Sequence, residues 1–387
     1  MEEKKIKIVF AGGGTGGHIY PGIAVADAVR NLAAEKNLDV EISWIGNESG
    51  MDRDIVEKNL TAEGGSIAEF FGIPCGKLRR YISFQNFKDL FKIAAGYFRA
   101  KKILKKIRPD CLFSKGGFVS VPPCRAAKSR KIPYYTHECD FTPGLATRLN
   151  SSRACRILIS YEDTRKFFKD SLKEKCMLTG NPVRPVFYED HRKEGLEFLG
   201  IPENHEKPVL LVLGGSLGAL QVNNLVKDNL SWLLERFIVV HQTGKKFAEE
   251  NPEVFSNPPE GYHPYAFIYK EMPYVVQSCD AVLSRAGANS LWECAVCKKP
   301  MLLVPLCGSG TRGDQVDNAK YFEEKGAAFA LVGQDAGSEN LKKSLEKMLD
   351  PNVRESLSSA CGTLCASLNP AKSIAEIILG GISDGSC

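Results

Sequence analysis

Short, unbroken runs of hydrophobic residues recur along this chain, and most of them end in glycine or in polar residues. Such runs are typical of parallel strands that are buried on both faces of a sheet. The runs in the first half cover residues 7–11, 41–45, 111–114, 133–136 and 157–160, and those in the second half cover 208–213, 237–242, 281–284 and 301–305. Stretches long enough for helices separate them, so the pattern predicts an α/β protein with parallel sheets.

Two of the predicted strands lead into glycine-rich turns. The first turn runs from Gly12 to His18 and precedes a predicted helix over residues 21–29, and the second covers 214–219 and precedes a helix that begins at Leu220. A strand, a glycine-rich turn and a helix form the opening of a doubly wound α/β domain. Because this arrangement occurs twice, we predict two such domains with a cleft between them.

The chain of 387 residues is long enough for two domains, and its charge is unevenly distributed. Residues 1–182 contain 31 basic and 20 acidic residues, whereas the rest contain 20 and 26. This excess of positive charge predicts an anionic partner for the first half without identifying it. The sequence lacks the run of about 18 apolar residues that a spanning helix needs. Because residues 1–5 do not resemble a secretory signal, we expect a cytoplasmic protein.

The first glycine-rich turn also satisfies the dinucleotide pattern GxGxxG through Gly12, Gly14 and Gly17. An NAD site needs an acidic residue at the end of the second strand, where this chain has residues 44–47, Trp-Ile-Gly-Asn, so an NAD-dependent dehydrogenase is disfavoured. Two interpretations stay open: a turn that lets a helix pack on a strand, or a loop that binds an anion or a sugar through backbone N–H groups. His18, directly after the glycines, is a candidate for proton transfer at neutral pH.

The second half offers candidates at three predicted strand ends. Ser216 lies in the glycine-rich turn and supplies a hydroxyl near a helix N-terminus. The small residues from Arg285 to Ser290 would let a phosphate approach the start of the next helix, where Glu293 could accept hydrogen bonds from a ribose diol. Asp314 and Gln315 suit the recognition of sugar hydroxyls, although an ordinary surface loop would explain them equally well.

Residues 77–108 contain eleven basic residues and one acidic residue, interleaved with aromatic and aliphatic ones. This composition indicates an element that lies on a membrane surface. An ordinary amphipathic helix is the plain alternative, and nucleic acid is disfavoured because no recognition motif accompanies the basic residues. The residues that we predict to dock on the membrane are Tyr81, Phe84, Phe87, Lys88, Phe91 and Lys92.

Cysteine spacing could suggest a metal or redox site at Cys294 and Cys297. Neither a second pair at zinc-finger spacing nor a nearby histidine accompanies them, and Cys361 and Cys365 are equally isolated. We interpret both pairs as buried thiols and predict no metal site.

Taken together, these motifs resemble the MurG family of peptidoglycan N-acetylglucosaminyltransferases. The matching segments are 13–18 with Pro21, Gly22 and Ala24, then 115–120, 137–138, 142–146, 180–184, 214–216, 284–293 and 312–315. They extend over residues 8–320, which is most of the chain.

The resemblance implies a GT-B fold, in which two Rossmann-like, doubly wound domains face an interdomain cleft. The first domain, residues 1–182 with a final helix at 370–387, would bind the acceptor and the membrane, and residues 183–369 would bind UDP-GlcNAc. The implied reaction transfers GlcNAc from UDP-GlcNAc to the 4-hydroxyl of MurNAc in lipid I, with inversion, to give lipid II. It would take place at the cytoplasmic face of the inner membrane, without a cofactor, a metal or nucleic acid.

The resemblance also implies roles for individual residues. His18 is our own candidate for the base, from its place at the loop between the two domains, and Arg184 with the helix N-termini would stabilise the departing UDP. The residues implied to bind UDP-GlcNAc are Thr15, Gly16, Gly17, Arg184, Ser216, Arg285, Gly287, Ala288, Asn289, Ser290, Glu293 and Gln315. Asp140 and Asp314 stand where many members have an amide, so each keeps a hydrogen-bond acceptor for the sugar but loses a donor. The alternatives are another GT-B transferase with a different lipid acceptor, and a lipid-docked protein that binds a nucleotide sugar without turnover.

Overall fold

The computed structural model describes residues 5–76, 84–215, 218–308, 311–366 and 369–385, with the backbone alone for 84–88. The chain divides into two units. Unit 1 comprises Met1–Arg184 together with Leu368–Cys387, and unit 2 comprises Pro185–Ser367.

Unit 1 is built on a parallel sheet. Its strands are β1 (Ile6–Gly12), β2 (Val40–Asn47), β3 (Glu69–Ile73), β4 (Cys111–Gly116), β5 (Tyr134–Glu138), β6 (Ile157–Ile159) and β7 (Cys176–Leu178). Within the described part of the chain these seven strands lie in the order β3-β2-β1-β4-β5-β6-β7, and every pair is parallel. The central strands are hydrophobic on both faces, as helices on both sides of the sheet require.

Helices cover both faces of this sheet. They are α1 (Gly16–Glu35), α2 (Met51–Glu57), α3 (Phe84–Ile107), α4 (Val121–Ser129), α5 (Leu145–Ser151), α6 (Asp170–Lys173) and, from the other end of the chain, α17 (Pro370–Ser383). Ile8 and Phe10 of β1 belong to the core cluster formed with α1 and α17. Val9 and Ala11 belong to the opposite cluster, formed with α3 and α4. Alternate residues of β1 thus pack against the helices on the two opposite faces of the sheet.

Unit 2 repeats the same plan. Its strands are β8 (Val209–Leu213), β9 (Ile238–Gln242), β10 (Tyr262–Tyr265), β11 (Ala281–Ser284), β12 (Met301–Leu303) and β13 (Ala328–Ala330). Its helices are α7 (Arg192–Leu199), α8 (Leu220–Asp228), α9 (Leu230–Arg236), α10 (Lys245–Glu250), α11 (Pro252–Ser256), α12 (Met272–Ser278), α13 (Ala288–Val296), α14 (Asp314–Glu324), α15 (Ser338–Leu349) and α16 (Pro351–Cys365). Among the described residues the strand order is β10-β9-β8-β11-β12-β13, again fully parallel. The predicted fold class, two doubly wound α/β domains, is confirmed.

The start of the first helix differs from the prediction. α1 begins at Gly16, directly after Thr15 in an extended conformation, so that Pro21 lies inside the helix. Proline lacks an N–H group, which made residue 21 a natural first helical position. Within α1 it removes one hydrogen bond near the N-terminus, a cost that burial of the helix offsets. Gly16, Gly17 and His18 are therefore the first turn of the helix and not part of the preceding loop.

A buried histidine makes unit 2 sensitive to acid. His241 in β9 is buried, with its Nε2 3.1 Å from Asn223 Oδ1 and its Nδ1 2.9 Å from the Tyr262 hydroxyl. The amide oxygen can only accept, so Nε2 donates and Nδ1 accepts from Tyr262. Burial lowers the pKa of His241 from 6.5 to about 3, so the folded protein keeps this ring neutral.

We expect the stability contributed by neutral His241 to be lost as the pH falls below 6.5. The unfolded chain takes up a proton there and the folded chain does not, which costs roughly 2 kcal/mol of unfolding free energy by pH 5. In His241→Gln, the decrease in Tm between pH 7 and pH 5 should be smaller than in the wild type, as measured by scanning calorimetry. Equal decreases in the two proteins would contradict this assignment.

Candidate functional site

One group of predicted site residues lies at the switch point of each sheet. The strand order reverses between β1 and β4 in unit 1 and between β8 and β11 in unit 2. In open α/β sheets, ligands bind outside the carboxyl ends of the strands at such a switch point. The turn with Thr15 follows β1, and Arg285 follows β11. Ser216, predicted after β8, lies outside the described residues.

Two glycines of the turn after β1 are required by the side chains next to them. A Cβ atom on Gly13 would overlap the carboxylate of Asp52, and one on Gly14 would overlap the ring of Phe118. Gly14 also has a φ of +82°, in the left-handed region that favours glycine. Tight packing, the first of the two interpretations left open, therefore accounts for these two positions.

Hydrogen bonds within unit 1 already occupy part of the turn. The N–H of Gly14 donates to Asp52 Oδ1 over 2.8 Å, and the N–H of His18 donates to the Thr15 carbonyl over 3.0 Å. These two N–H groups are not available to an anion. They therefore do not belong to the backbone donors with which the predicted loop could bind a ligand. Asp52 Oδ2 accepts from the N–H of Asn47, so both oxygens of this acid are engaged.

His18 is held at the start of α1 by its neighbours. Its Nδ1 lies 2.9 Å from the hydroxyl oxygen of Thr15. Its ring packs against Gly117, where a Cβ atom would come within 3.2 Å of the imidazole. When Nδ1 donates to Thr15, Nε2 carries the lone pair that a base requires. The arrangement suits proton transfer at the carboxyl edge of the sheet.

Buried polar groups hold the segment that ends at Arg184. Lys115, at the end of β4, is 1% exposed, and its Nζ donates to Asn181 Oδ1 over 3.4 Å. His137 Nε2, at the end of β5, donates to the Gly180 carbonyl over 2.9 Å. Burial first, and then the charge of Lys115, hold the pKa of His137 well below its usual value, so the ring is neutral.

This segment directs Arg184 towards α1. The guanidinium carbon of Arg184 lies 5.2 Å from the ring centroid of Tyr20, two residues after His18. A cation over an aromatic ring at this distance is favourable. The structure therefore brings Arg184 close to the helix that carries Thr15, Gly16 and His18. Lys115 and His137 occur in the matched motifs, but no pattern in the sequence indicated their structural role.

Asp140 follows β5 in a cluster of possible metal ligands. The ligand atoms of Glu138, Cys139 and Asp140 lie within 4.8 Å of one another. The two oxygens of Glu138 accept hydrogen bonds from the N–H groups of Asp140 and Gly144, over 3.0 and 2.9 Å. The Glu138 carboxylate thus stabilises the turn that follows β5 through these two hydrogen bonds. Asp140 remains a predicted sugar contact.

In unit 2, the start of α13 lies at the switch point. Arg285 follows β11, Gly287 is the N-terminal cap, and Ala288, Asn289 and Ser290 form the first turn. Among the residues that the structure describes, no atom would lie within 4 Å of a Cβ atom added to Gly287, so in that part of the chain the space beside this helix N-terminus is open. An anion placed there would meet backbone N–H groups and the positive end of the helix dipole. Glu293 lies one turn further along the same helix.

Gln315 connects α14 to this region. Its Oε1 accepts from Arg285 Nε over 3.3 Å and from the N–H of Leu306 over 2.9 Å. Burial lowers the pKa of Arg285, and the nearby charge of Asp314 opposes that shift. Asp314 forms an ion pair with Arg312, 2.7 Å apart, so a sugar hydroxyl would compete with a cation for its carboxylate.

Sequence reasoning missed one residue of this group. Asn318 is fully buried, and its Nδ2 donates to the carbonyl of Ala286 over 3.1 Å. It thereby joins α14 to the loop that precedes α13. The available signal was spacing, since Asn318 lies one helical turn after Asp314 and Gln315.

The paired cysteines are free thiols. Cys294 and Cys361 are buried, and Cys297 and Cys365 are partly buried. Burial raises the pKa of Cys297 and of Cys365 to about 12, so both stay protonated near neutral pH. Protonated thiols are poor metal ligands and poor nucleophiles.

The predicted membrane-docking residues fall on or before α3. Tyr81 lies outside the described residues, and for Phe84, Phe87 and Lys88 the side chains do. Lys92 is exposed, and Phe91 and Phe98 are 65% and 68% exposed. Phe98, one of the exposed aromatic residues, was not among the predicted ones. Where the structure describes the chain, no helix combines the length and the apolarity needed to cross a bilayer.

Comparison with known proteins identifies the family. The glycosyltransferase family 28 N-terminal domain matches residues 8–159, and the family 28 C-terminal domain matches residues 209–377. A Treponema denticola protein named UDP-N-acetylglucosamine–N-acetylmuramyl-(pentapeptide) pyrophosphoryl-undecaprenol N-acetylglucosamine transferase is 48% identical, over 96% of each chain. A Treponema pallidum protein of the same name is 43% identical, over 98% of this chain and 96% of the relative. The chain belongs to the MurG family.

Solved structures agree with this assignment. MurG of Acinetobacter baumannii is 22% identical, with a TM-score of 0.67 over 97% of this chain and 99% of that one. A likeness at this identity shows the fold alone. The family resemblance and the GT-B fold expected from the sequence are confirmed, whereas the roles of individual site residues stay predictions.

Proposed function

We propose that this chain is a UDP-GlcNAc-dependent hexosyltransferase that moves GlcNAc to the 4-hydroxyl of MurNAc in lipid I, giving lipid II for peptidoglycan synthesis. The observation that carries the proposal is the 48% identity, over 96% of each chain, with a relative named for this transfer. Both family 28 domains are present in the same order. The chemistry at the two switch points is compatible with that reaction.

Unit 2 supplies the donor contacts in this proposal. The open start of α13 accepts the diphosphate, with Gly287, Asn289 and Ser290 around it. Arg285 adds positive charge close by, and Glu293 takes the ribose hydroxyls. Ser216, from the turn after β8, belongs to the same set by family resemblance. Gln315 keeps its amide nitrogen for a GlcNAc hydroxyl, since its oxygen is bonded to Arg285 and Leu306.

Unit 1 supplies the base. The acceptor hydroxyl loses its proton to Nε2 of His18 while its oxygen attacks the anomeric carbon, and the bond from that carbon to UDP breaks. Attack on the side opposite to UDP inverts the anomeric configuration. The negative charge that develops on UDP is stabilised by the α13 N-terminus and by arginine, the role proposed for Arg184. The Thr15 hydroxyl orients the His18 ring through its contact with Nδ1. Gly16 and Gly17, which have no side chains, leave room for the sugars.

The reaction is tested with purified protein, UDP-GlcNAc and a short-chain lipid I analogue, in the presence of EDTA. We expect acceptor-dependent release of UDP and a product heavier by one GlcNAc, measured by a coupled assay and mass spectrometry. His18→Ala should lower kcat by about 10²- to 10⁴-fold, and His205→Ala, in unit 2, should not. UDP-GlcNAc binding without transfer to lipid I would instead favour another lipid acceptor.

The donor site is tested at a glycine whose substitution the fold tolerates. Gly287→Ala places a methyl group in the open space beside the α13 N-terminus, so we expect an unchanged Tm and a KM for UDP-GlcNAc raised by roughly tenfold, or about 1.4 kcal/mol. The matched control is Gly337→Ala, because Gly337 caps α15 and also has open space beside it. Unchanged kinetics in Gly287→Ala would place the diphosphate elsewhere.

We also propose that α3 holds the protein on the cytoplasmic face of the inner membrane as a peripheral protein. The supporting observation is that exposed Phe91 and Phe98 lie on a helix rich in lysine, of which Lys92 is exposed. Aromatic rings would enter the interface while lysines bind anionic headgroups. Tyr81, Phe84, Phe87 and Lys88 belong to the same proposal from the sequence.

Membrane binding is measured by co-sedimentation with vesicles that contain an anionic phospholipid. Phe91→Ser and Phe98→Ser should each reduce the partition coefficient by roughly tenfold, because each removes apolar area from the interface. Phe267→Ser, at an exposed phenylalanine of unit 2, is the control and should bind as the wild type does. Equal binding of the wild type and all three variants would contradict the proposal that α3 is the docking element.

A further inference from the structure

A buried carboxylate lies beneath the turn that precedes the proposed base. Asp52 is the second residue of α2 and is 1% exposed. Its Oδ1 accepts the N–H of Gly14 and its Oδ2 accepts the N–H of Asn47, each over 2.8 Å. One side chain thus joins the end of β2 to the turn after β1, the neighbouring strand in the sheet.

The turn is also confined by what surrounds it. Gly13 lies so close to the carboxylate of Asp52 that no Cβ atom would fit, and the ring of Phe118 packs against Gly14 in the same way. Close packing on both of these glycines leaves the turn little room to shift. The position of Gly14 is therefore determined by the Asp52 hydrogen bond and the Phe118 contact together.

The turn leads directly to the proposed base. Gly14 precedes Thr15, the residue at which α1 is capped, and Thr15 Oγ1 lies 2.9 Å from Nδ1 of His18. A displacement of Gly14 would move Thr15 and with it the atom that orients the imidazole. The geometry of a base is critical, because a misplacement of about 1 Å can cost on the order of 100-fold in rate.

We infer that Asp52 is a positioning residue for the transfer reaction, because its two backbone hydrogen bonds fix the turn that aims His18 at the acceptor hydroxyl. The inference rests on the proposed function. Asp52 itself does not touch a substrate in this role. It acts through Gly14 and Thr15, which lie four and three residues before His18 in the chain.

The role requires a carboxylate and not merely a polar side chain. Two N–H donors approach the two oxygens, and an ionised carboxylate can accept from both. An asparagine of the same shape would present its NH₂ group to one of these donors, so one hydrogen bond would be replaced by repulsion. Burial raises the pKa of Asp52, and the N–H groups of Asn47 and Gly14 oppose that rise.

The test compares Asp52→Asn with Asp54→Asn, which makes the same charge change at an exposed position of α2. We expect Asp52→Asn to lower kcat by at least tenfold while the Kd for UDP, measured by calorimetry, stays within twofold. Asp54→Asn should match the wild type in both. All rates are measured at least 15 °C below the Tm of each variant, so that loss of folded protein does not contribute.

The outcomes separate this inference from the proposed function. Wild-type protein that binds UDP but does not transfer GlcNAc to lipid I would overturn the proposed function. A wild type that transfers GlcNAc together with an Asp52→Asn protein of normal kcat would overturn the positioning role alone, and so would a tenfold loss of UDP affinity. If Asp52→Asn is insoluble, Asp52→Ser takes its place, because it has one oxygen in place of the two separate oxygens that receive these N–H groups, and the same decrease in kcat is expected.

Discussion

Parallel strand direction is the constraint on which the proposed chemistry depends. All paired strands in both sheets run the same way, so their carboxyl ends, and the starts of the helices that follow, emerge at one edge of each sheet. Residues far apart in sequence then meet without special arrangement. In unit 1, Arg184 reaches Tyr20. In unit 2, Gln315 reaches Arg285. The same topology, used twice, provides two edges at which ligands can bind.

The two edges differ in how tightly side chains pack around the glycines that follow the strands. In unit 1, the side chains of Asp52 and Phe118 occupy the space beside the glycines of the turn after β1. Lys115 and His137 are buried nearby, and each donates a hydrogen bond within the unit, to Asn181 Oδ1 and to the Gly180 carbonyl. In unit 2 the N-terminus of α13 faces open space at Gly287. A pre-organised edge suits a catalytic group, which must not move, whereas an open edge suits a ligand that brings its own charge.

Sequence patterns predicted the inner strands of each sheet and missed its edge strands. All nine predicted strands are present, and the four that were not predicted, β3, β7, β10 and β13, are the edge strands of the two sheets. β3 and β10 contain polar residues and β7 has only three residues, so these strands lack the continuous apolar run on which the prediction relied. β13 lies within the apolar run 327–332, which the prediction overlooked. Glycine motifs located both switch points. No sequence pattern indicated Asp52, because its role arises from a backbone contact with a turn distant in sequence. For Asn318, which contacts the carbonyl of Ala286, the only signal was its helical spacing from Asp314 and Gln315, and the prediction did not use it.

The placement of α17 has a consequence for biosynthesis. Ile374 and Ile378 complete the core that Ile19 and Ile23 of α1 begin, although roughly 350 residues separate the two helices. At about 5–20 residues per second, a ribosome needs on the order of 20–70 s to make the intervening chain. During that time the apolar face of α1 is without its partner. Unit 1 starts first and is completed last, so part of its core stays exposed in the nascent chain until α17 has been made.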